Sequence, residues 1–344
     1  MIRNFIDPNK DLTPQWDHPN GFGRRMRRSR PMSLNGKVAI VTGSGQGLGL
    51  AYARELARQG AAVVINDVNA ETAAQAVAQI EADGGRAAAV VVPVGATDAA
   101  KALVAGAVDT FGRLDILVTN AGILRDKSLL KMTDEDFDLV INVHLKGTFT
   151  CVREAFAYFK ENTVQGRIIT IGSPTGQRGN FGQTNYAAAK AGIVGMVRTW
   201  ALEMKKAGVT VNSVIPVAAT AMTKTVPYFQ KAVEADERGE AMPSFFRHDL
   251  GFGTADDVAG LVAFLASDEA ATITGQAIGA GGDRLQVWTH PEAATTEYHE
   301  GGWSYEALQE NAGQLFTPET LQSYGEEFLP LPEDLKPAQP AEAR

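Results

Sequence analysis

The chain has 344 residues, a formal charge of −8 and a single cysteine, Cys151. The acidic balance argues against nucleic acid or an anionic membrane surface as the main partner. One cysteine excludes an intrachain disulfide and any Cys-rich metal site, so no metal is expected, and no apolar run reaches the roughly 18 residues that span a bilayer.

Residues 1–33 read as a solvated N-terminal arm, broken by Pro and Gly and closing in Arg24, Arg25, Arg27, Arg28 and Arg30. The cluster lacks the apolar stretch of a signal peptide, and Met32 is an alternative start. From residue 34 to 283 short apolar runs alternate with amphipathic helices. Strands are predicted at 37–42, 61–67, 86–94, 114–122, 166–172, 209–216 and 275–280. Helices fall between them, among them 70–82, a long one near 133–159 and another near 255–266. Continuous apolar strands separated by helices predict one α/β domain with a seven-stranded parallel sheet, doubly wound in the Rossmann manner. Residues 217–253 interrupt the rhythm and should lie over the carboxyl ends of the strands as a substrate lid. Residues 284–344 form an irregular extension whose Pro- and charge-rich end is expected to be mobile.

The first strand turns into the first helix through "TGSGQGLG" (42–49). Gly43, Gly47 and Gly49 remove side chains where backbone must approach a pyrophosphate at a helix N-terminus, with Gln46 and Leu48 between them. Asp67 ends the second strand 18 residues beyond Gly49, where an acid would accept from the ribose hydroxyls. The competing role is a helix cap, for which Asp67 or Asn69 would serve equally. A 2′-phosphate beside that carboxylate would be repelled by about 4 kcal/mol at 4 Å and an effective dielectric near 20, which favours NAD over NADP.

In "TNYAAAKAGIVGM" (184–196), Tyr186 and Lys190 are four residues apart, on one helix face and one turn from each other. A cation so close to a phenol favours the phenolate. Such a pair also arises by chance on exposed helices, so its meaning depends on the rest of the chain.

With the glycine turn, "TNAG" (119–122), Ser173, Tyr186 and Lys190 in this order, residues 34–283 resemble the short-chain dehydrogenase/reductase family. The resemblance implies that Tyr186 is the acid/base on the substrate oxygen and that Ser173, 13 residues earlier, positions that oxygen. It implies that Lys190, with the positive nicotinamide, acidifies the phenol and holds the nicotinamide ribose. Asn120, Ala121, Gly122 and Pro216 would shape the cofactor wall. It also implies a homodimer or homotetramer, because the family pairs its two central helices between subunits.

Two departures stand out. His144 occupies the position where the family usually has an asparagine supporting a water chain from the lysine. It would do this work, relay protons itself as a group titrating near neutrality, or simply pack. Asn142, two residues away, faces nearly the opposite side. Gly95 stands where the family often has an acid touching the adenine.

"AGILRDKSLLKMTDEDFDLVINVHLKGTF" (121–149) and "NSVIPVAATAMT" (212–223) resemble the (3R)-hydroxyacyl-CoA dehydrogenase unit of multifunctional β-oxidation enzymes, a group that tends to carry this histidine. The expected substrate is a (3R)-hydroxyacyl-CoA; related hydroxysteroid dehydrogenases and an NADPH-dependent ketoacyl reductase are the alternatives, with a non-catalytic dinucleotide sensor as the contrasting class. Phe229, Phe245 and Phe246 would line an apolar lid, or else pack as core. No peroxisomal Ser-Lys-Leu ends the chain, so a bacterial cytoplasmic enzyme is expected.

Overall fold

Between Val38 and Leu315 the chain alternates strand and helix as its apolar runs dictate. The computed structural model describes residues 33–219, 227–318, 320–322, 324–325 and 329–336. The arginine cluster of the arm, Met32 and lid residues 220–226 lie outside them. The elements are β1 (Val38–Thr42), α1 (Gly47–Arg58), β2 (Ala62–Asp67), α2 (Ala70–Ala82), β3 (Arg86–Val91), α3 (Thr97–Phe111), β4 (Ile116–Thr119), α4 (Asp134–Val140), α5 (Gly147–Glu161), β5 (Arg167–Ile171), α6 (Pro174–Arg178), α7 (Thr184–Met204), β6 (Thr210–Pro216), α8 (Gln230–Glu237), α9 (Ala255–Ala266), β7 (Ala277–Gly281), β8 (Arg284–Trp288) and α10 (Tyr305–Leu315).

The sheet order is β3-β2-β1-β4-β5-β6-β7-β8. Alternate residues of β1 show why its run is continuously apolar. Val38 and Ile40 pack with α3, α5 and α7 on one face, while Ala39 and Val41 pack with α1, α2 and α9 on the other. Strand order reverses between β1 and β4, so a crevice opens at their carboxyl ends. The glycine turn and the "TNAG" turn both end there.

Three expectations need correction. The sheet has an eighth strand, because Arg284–Trp288 pairs antiparallel with β7. At five residues, with Leu285 and Val287 exposed on one side, it lacks the buried apolar run that revealed the others. The long helix near 133–159 is not uniform, since a π-helical turn at Ile141–Lys146 separates α4 from α5. Residues 329–336, expected to be mobile, are held to the lid: Tyr228 Oη donates to the Leu329 carbonyl at 2.6 Å. Leu331 and Leu335 also pack on the lid's aromatic cluster.

That cluster is the lid's own core. Phe229 and Phe246 are buried, and Phe229 stacks on Phe252 with ring centroids 4.3 Å apart. These two aromatics therefore hold the lid together, while Phe245 remains partly exposed beside them. Arg247 fastens the lid's base to the domain through Asp257 at 2.9 Å and Asp283 at 2.7 Å.

Candidate active site

The dinucleotide end is built by two turns clasping each other. Thr42 Oγ1 accepts from the backbone N–H of Asn120 and of Ala121, both at 3.0 Å. In return Asn120 Nδ2 donates to the carbonyls of Thr42 (3.0 Å) and Gly43 (2.9 Å). The glycines are required by this closeness. A Cβ on Gly43 would stand 2.7 Å from Ala121 Cα, and one on Gly49 would stand 2.2 Å from the Gly43 carbonyl. Gln46 precedes α1 without a side-chain cap, so the first amides of the helix face the crevice unspent. Leu48 packs its side chain on the core. Pro216 ends β6 in register with Ala280, at the far side of the same crevice.

Asp67 is not the helix cap. Asn69 Oδ1 caps α2 by accepting from Glu71 N (2.9 Å) and Thr72 N (3.2 Å). Asp67 instead turns to the glycine loop, with Oδ2 accepting from Gly45 N at 3.1 Å. The open cradle and a carboxylate at its rim fit a nicotinamide dinucleotide. When bound, that group supplies the hydride acceptor.

The candidate side chains Ser173, Tyr186 and Lys190 gather beyond the carboxyl end of β5. Ser173 caps α6, its Oγ accepting from Thr175 N at 3.2 Å. Helix α7 delivers Tyr186 and Lys190 to one face, and the lysine Nζ lies 5.5 Å from the centre of the phenol ring. Lys190 donates to the Ile171 carbonyl at 2.7 Å. Burial pushes its ammonium down to about 7, so it is poised to exchange a proton at neutral pH.

His144 reaches the site from the π-turn. Its ring stands edge-on to Tyr186 with centroids 5.2 Å apart. Nε2 lies 3.0 Å from Ile123 N and 2.8 Å from Ile123 O, so it accepts from the amide in one tautomer and donates to the carbonyl in the other. Burial first, then the Lys190 charge, push it down to about 3 against the opposing bond to Ile123. The imidazole is therefore neutral at physiological pH. Gly122 makes room for it, since a Cβ there would stand 2.3 Å from Cε1. Asn142 does face away from His144: its carboxamide fills the space over Gly95, where a Cβ would meet Nδ2 at 2.6 Å.

One residue of the site escaped sequence reasoning. Asn185 is fully buried, with Nδ2 donating to the carbonyls of Arg125 (3.2 Å) and Asp136 (3.1 Å) and Oδ1 accepting from Tyr186 N (2.8 Å). A polar residue in a first helical turn reads as solvated; only its place directly before the tyrosine hinted otherwise. Asn185→Ala would strand three partly buried backbone groups, and we expect a loss of about 2–4 kcal/mol in denaturant unfolding.

Together the doubly wound sheet, the glycine cradle and the Ser-Tyr-Lys cluster define a dinucleotide-dependent oxidoreductase acting on a CH–OH group. A family model described as short chain dehydrogenase matches residues 37–231. The chain belongs to the short-chain dehydrogenase family. It is 40% identical over 253 residues to the 3-oxoacyl-(acyl-carrier-protein) reductase FabG of Thermotoga maritima, covering 73% of this chain and 98% of that one. It is also 40% identical over 280 residues to the hydroxyacyl-CoA dehydrogenase ChsB1 of Mycobacterium tuberculosis, covering 78% and 84%. A crystal structure of a short chain dehydrogenase from Mycobacterium avium superposes with a TM-score of 0.73 at 35% identity, covering 86% of this chain and all of that one.

Proposed function

We propose that the enzyme uses NAD to oxidise the secondary alcohol of a bulky apolar substrate, a (3R)-hydroxyacyl-CoA, with the reverse ketone reduction available to the same residues. The observation that carries the cofactor choice is the Asp67 carboxylate. It is released from capping by Asn69 and fixed at the rim of the cradle by Gly45 N. There it suits two ribose hydroxyls and opposes a phosphate. The substrate class is supported by the segments at 121–149 and 212–223 and by similarity to a relative that carries the hydroxyacyl-CoA dehydrogenase name.

Assays of NAD+ and NADP+ against hydroxyacyl-CoAs and hydroxysteroids test both parts. Wild-type protein should favour NAD+, and Asp67→Ser should shift the NAD+:NADP+ ratio of kcat/KM by roughly a hundredfold or more towards NADP+. Turnover with NADP+ alone would remove the cofactor reading, and turnover of steroids alone would remove the substrate reading. We propose also a homodimer or homotetramer, for which exposed Phe149 on α5 and Leu202 on α7 offer apolar surface. Among the described residues no helix is long and apolar enough to cross a membrane, and we take the cytoplasm as the place of action.

A further inference from the structure

Ser173 and Tyr186 belong to different helices, and the chain between them does not fix how they meet. Residues 179–183 carry Gly179 at φ +79° and Gly182 at φ +80°, with Phe181 exposed between them. A connection hinged on two such glycines tolerates many angles. Helix α6 has five residues and lies against α7 at Gly176, where a Cβ would stand 2.7 Å from Ala191 N and from the Lys190 carbonyl carbon. That contact sets a distance but leaves a short helix room to pivot. Aiming Ser173 takes a second restraint.

Gln183 stands at the N-cap of α7, and its side chain turns from that helix to three other places. Its Nε2 donates to Asp126 Oδ2 at 2.8 Å. Its Oε1 accepts from Asn180 Nδ2 at 3.0 Å and from Thr175 Oγ1 at 3.2 Å. The amide must face this way round, because an ionised carboxylate only accepts. Asp126 is itself a fixed post. On either side of it, Lys127 N donates to the Gly182 carbonyl at 2.9 Å and the Arg125 carbonyl accepts from Asn185 Nδ2 at 3.2 Å. The bond to Asp126 therefore turns Oε1 towards α6.

Thr175 carries the restraint to the serine. Its hydroxyl bonds to Gln183, and its amide donates to Ser173 Oγ at 3.2 Å. Both residues are buried. Because Ser173 Oγ accepts from that amide, the serine keeps its own proton for the substrate oxygen. At the other end, the Gln183 carbonyl accepts from Ala187 N at 2.7 Å, which builds the same residue into the first turn of the tyrosine's helix. Two hydrogen bonds in series thus join Ser173 to the residue three places before Tyr186.

We propose that Gln183 is a positioning residue, holding the serine helix at the angle from which Ser173 and Tyr186 reach one substrate oxygen. The proposal rests on the reading of Ser173 as the group that positions that oxygen, and is independent of which alcohol or dinucleotide is bound. Gln183 is only half-buried, so its loss costs the fold little. A shift of about 1 Å in a positioned group, in contrast, costs on the order of a hundredfold in rate.

The test combines kinetics of (3R)-hydroxybutyryl-CoA oxidation by NAD+ with hydrogen exchange of residues 173–183. Gln183→Ala should lower kcat by roughly ten- to a hundredfold with the KM for NAD+ little changed, and Thr175→Val, which cuts only the bond to Gln183, should do the same. Exchange of 173–183 should quicken about tenfold while the rest of α7 stays as in wild type. Ser173→Ala should lose about a hundredfold or more, and Gln183→Ala added to it should cost less than about threefold further, since one residue acts through the other. Gln183→Glu sets two carboxylates together and should lose activity; adding Asp126→Asn reverses donor and acceptor and should restore most of it. Wild-type kcat in Gln183→Ala, or its full effect persisting beside Ser173→Ala, would overturn the proposal. Should Gln183→Ala fail to fold, Thr175→Val and the exchanged pair decide. Full activity of Ser173→Ala would instead remove the serine reading. If wild type leaves the thioester untouched, quickened exchange keeps the positioning role and removes the substrate reading, and unchanged exchange overturns both.

Discussion

Tyr186→Phe is expected to lower kcat/KM for alcohol oxidation by roughly a hundred- to ten-thousandfold, the usual contribution of a positioned acid/base. The substitution removes one oxygen and keeps the ring. The ring contacts with His144 at 5.2 Å and Lys190 at 5.5 Å survive in phenylalanine, so the local packing should hold. The cradle of Gly43, Gly47 and Gly49 is untouched, and NAD+ titrated by fluorescence should bind about as well as to wild type. Undiminished turnover would remove Tyr186 from the chemistry; lost dinucleotide binding would show that the phenol serves the cofactor instead.

Lys190→Met is expected to abolish most activity and yet stabilise the unliganded protein in acid. Burial holds the lysine near 7, against about 10.4 in an unfolded chain. The unfolded state therefore binds more protons between those values, and wild-type stability should rise with pH across that window. Below about 7 the buried ammonium costs roughly 4–5 kcal/mol at 1.36 kcal/mol per pH unit. Methionine removes that cost but strands the Ile171 carbonyl, worth about 1–3 kcal/mol. The net gain at pH 6 should be about 2 kcal/mol in urea unfolding, fading towards pH 10. A Met variant less stable than wild type at pH 6 would mean that the ammonium is compensated in the fold.

Much of this architecture is legible in the chain because it rests on short-range rules. The pattern bounds helix α2 at 70–82 and places α9 near 255–266, where the structure has both. The Tyr186–Lys190 pairing follows from helix periodicity, and the glycine cradle from a strand running into a helix. What escaped depends on contacts distant in sequence. Strand β8 exists because β7 offers an edge, not because its own five residues insist on it. The C-terminal extension looks like a polar tail until Leu331 and Leu335 meet the lid. By sequence Asp67 and Asn69 are equal candidates for a cap, and only the fold gives the cap to Asn69 and the Gly45 amide to Asp67. His144 could be placed near the site, but its neutrality follows from burial that no local pattern reveals.

Burial pushes the Lys190 ammonium down to about 7, so the site loses a proton near neutral pH. In the proposed mechanism the protonated site serves ketone reduction, and the deprotonated site accepts a proton from an alcohol. The pH profile of kcat/KM for alcohol oxidation by wild type and Lys190→Met therefore tests the central claim. Wild-type rate should rise with pH through an apparent value near 7, and the residual rate of the variant should rise only towards 10, the value of an unassisted tyrosine. A wild-type profile rising only near 10, or one that the methionine leaves in place, would contradict the account.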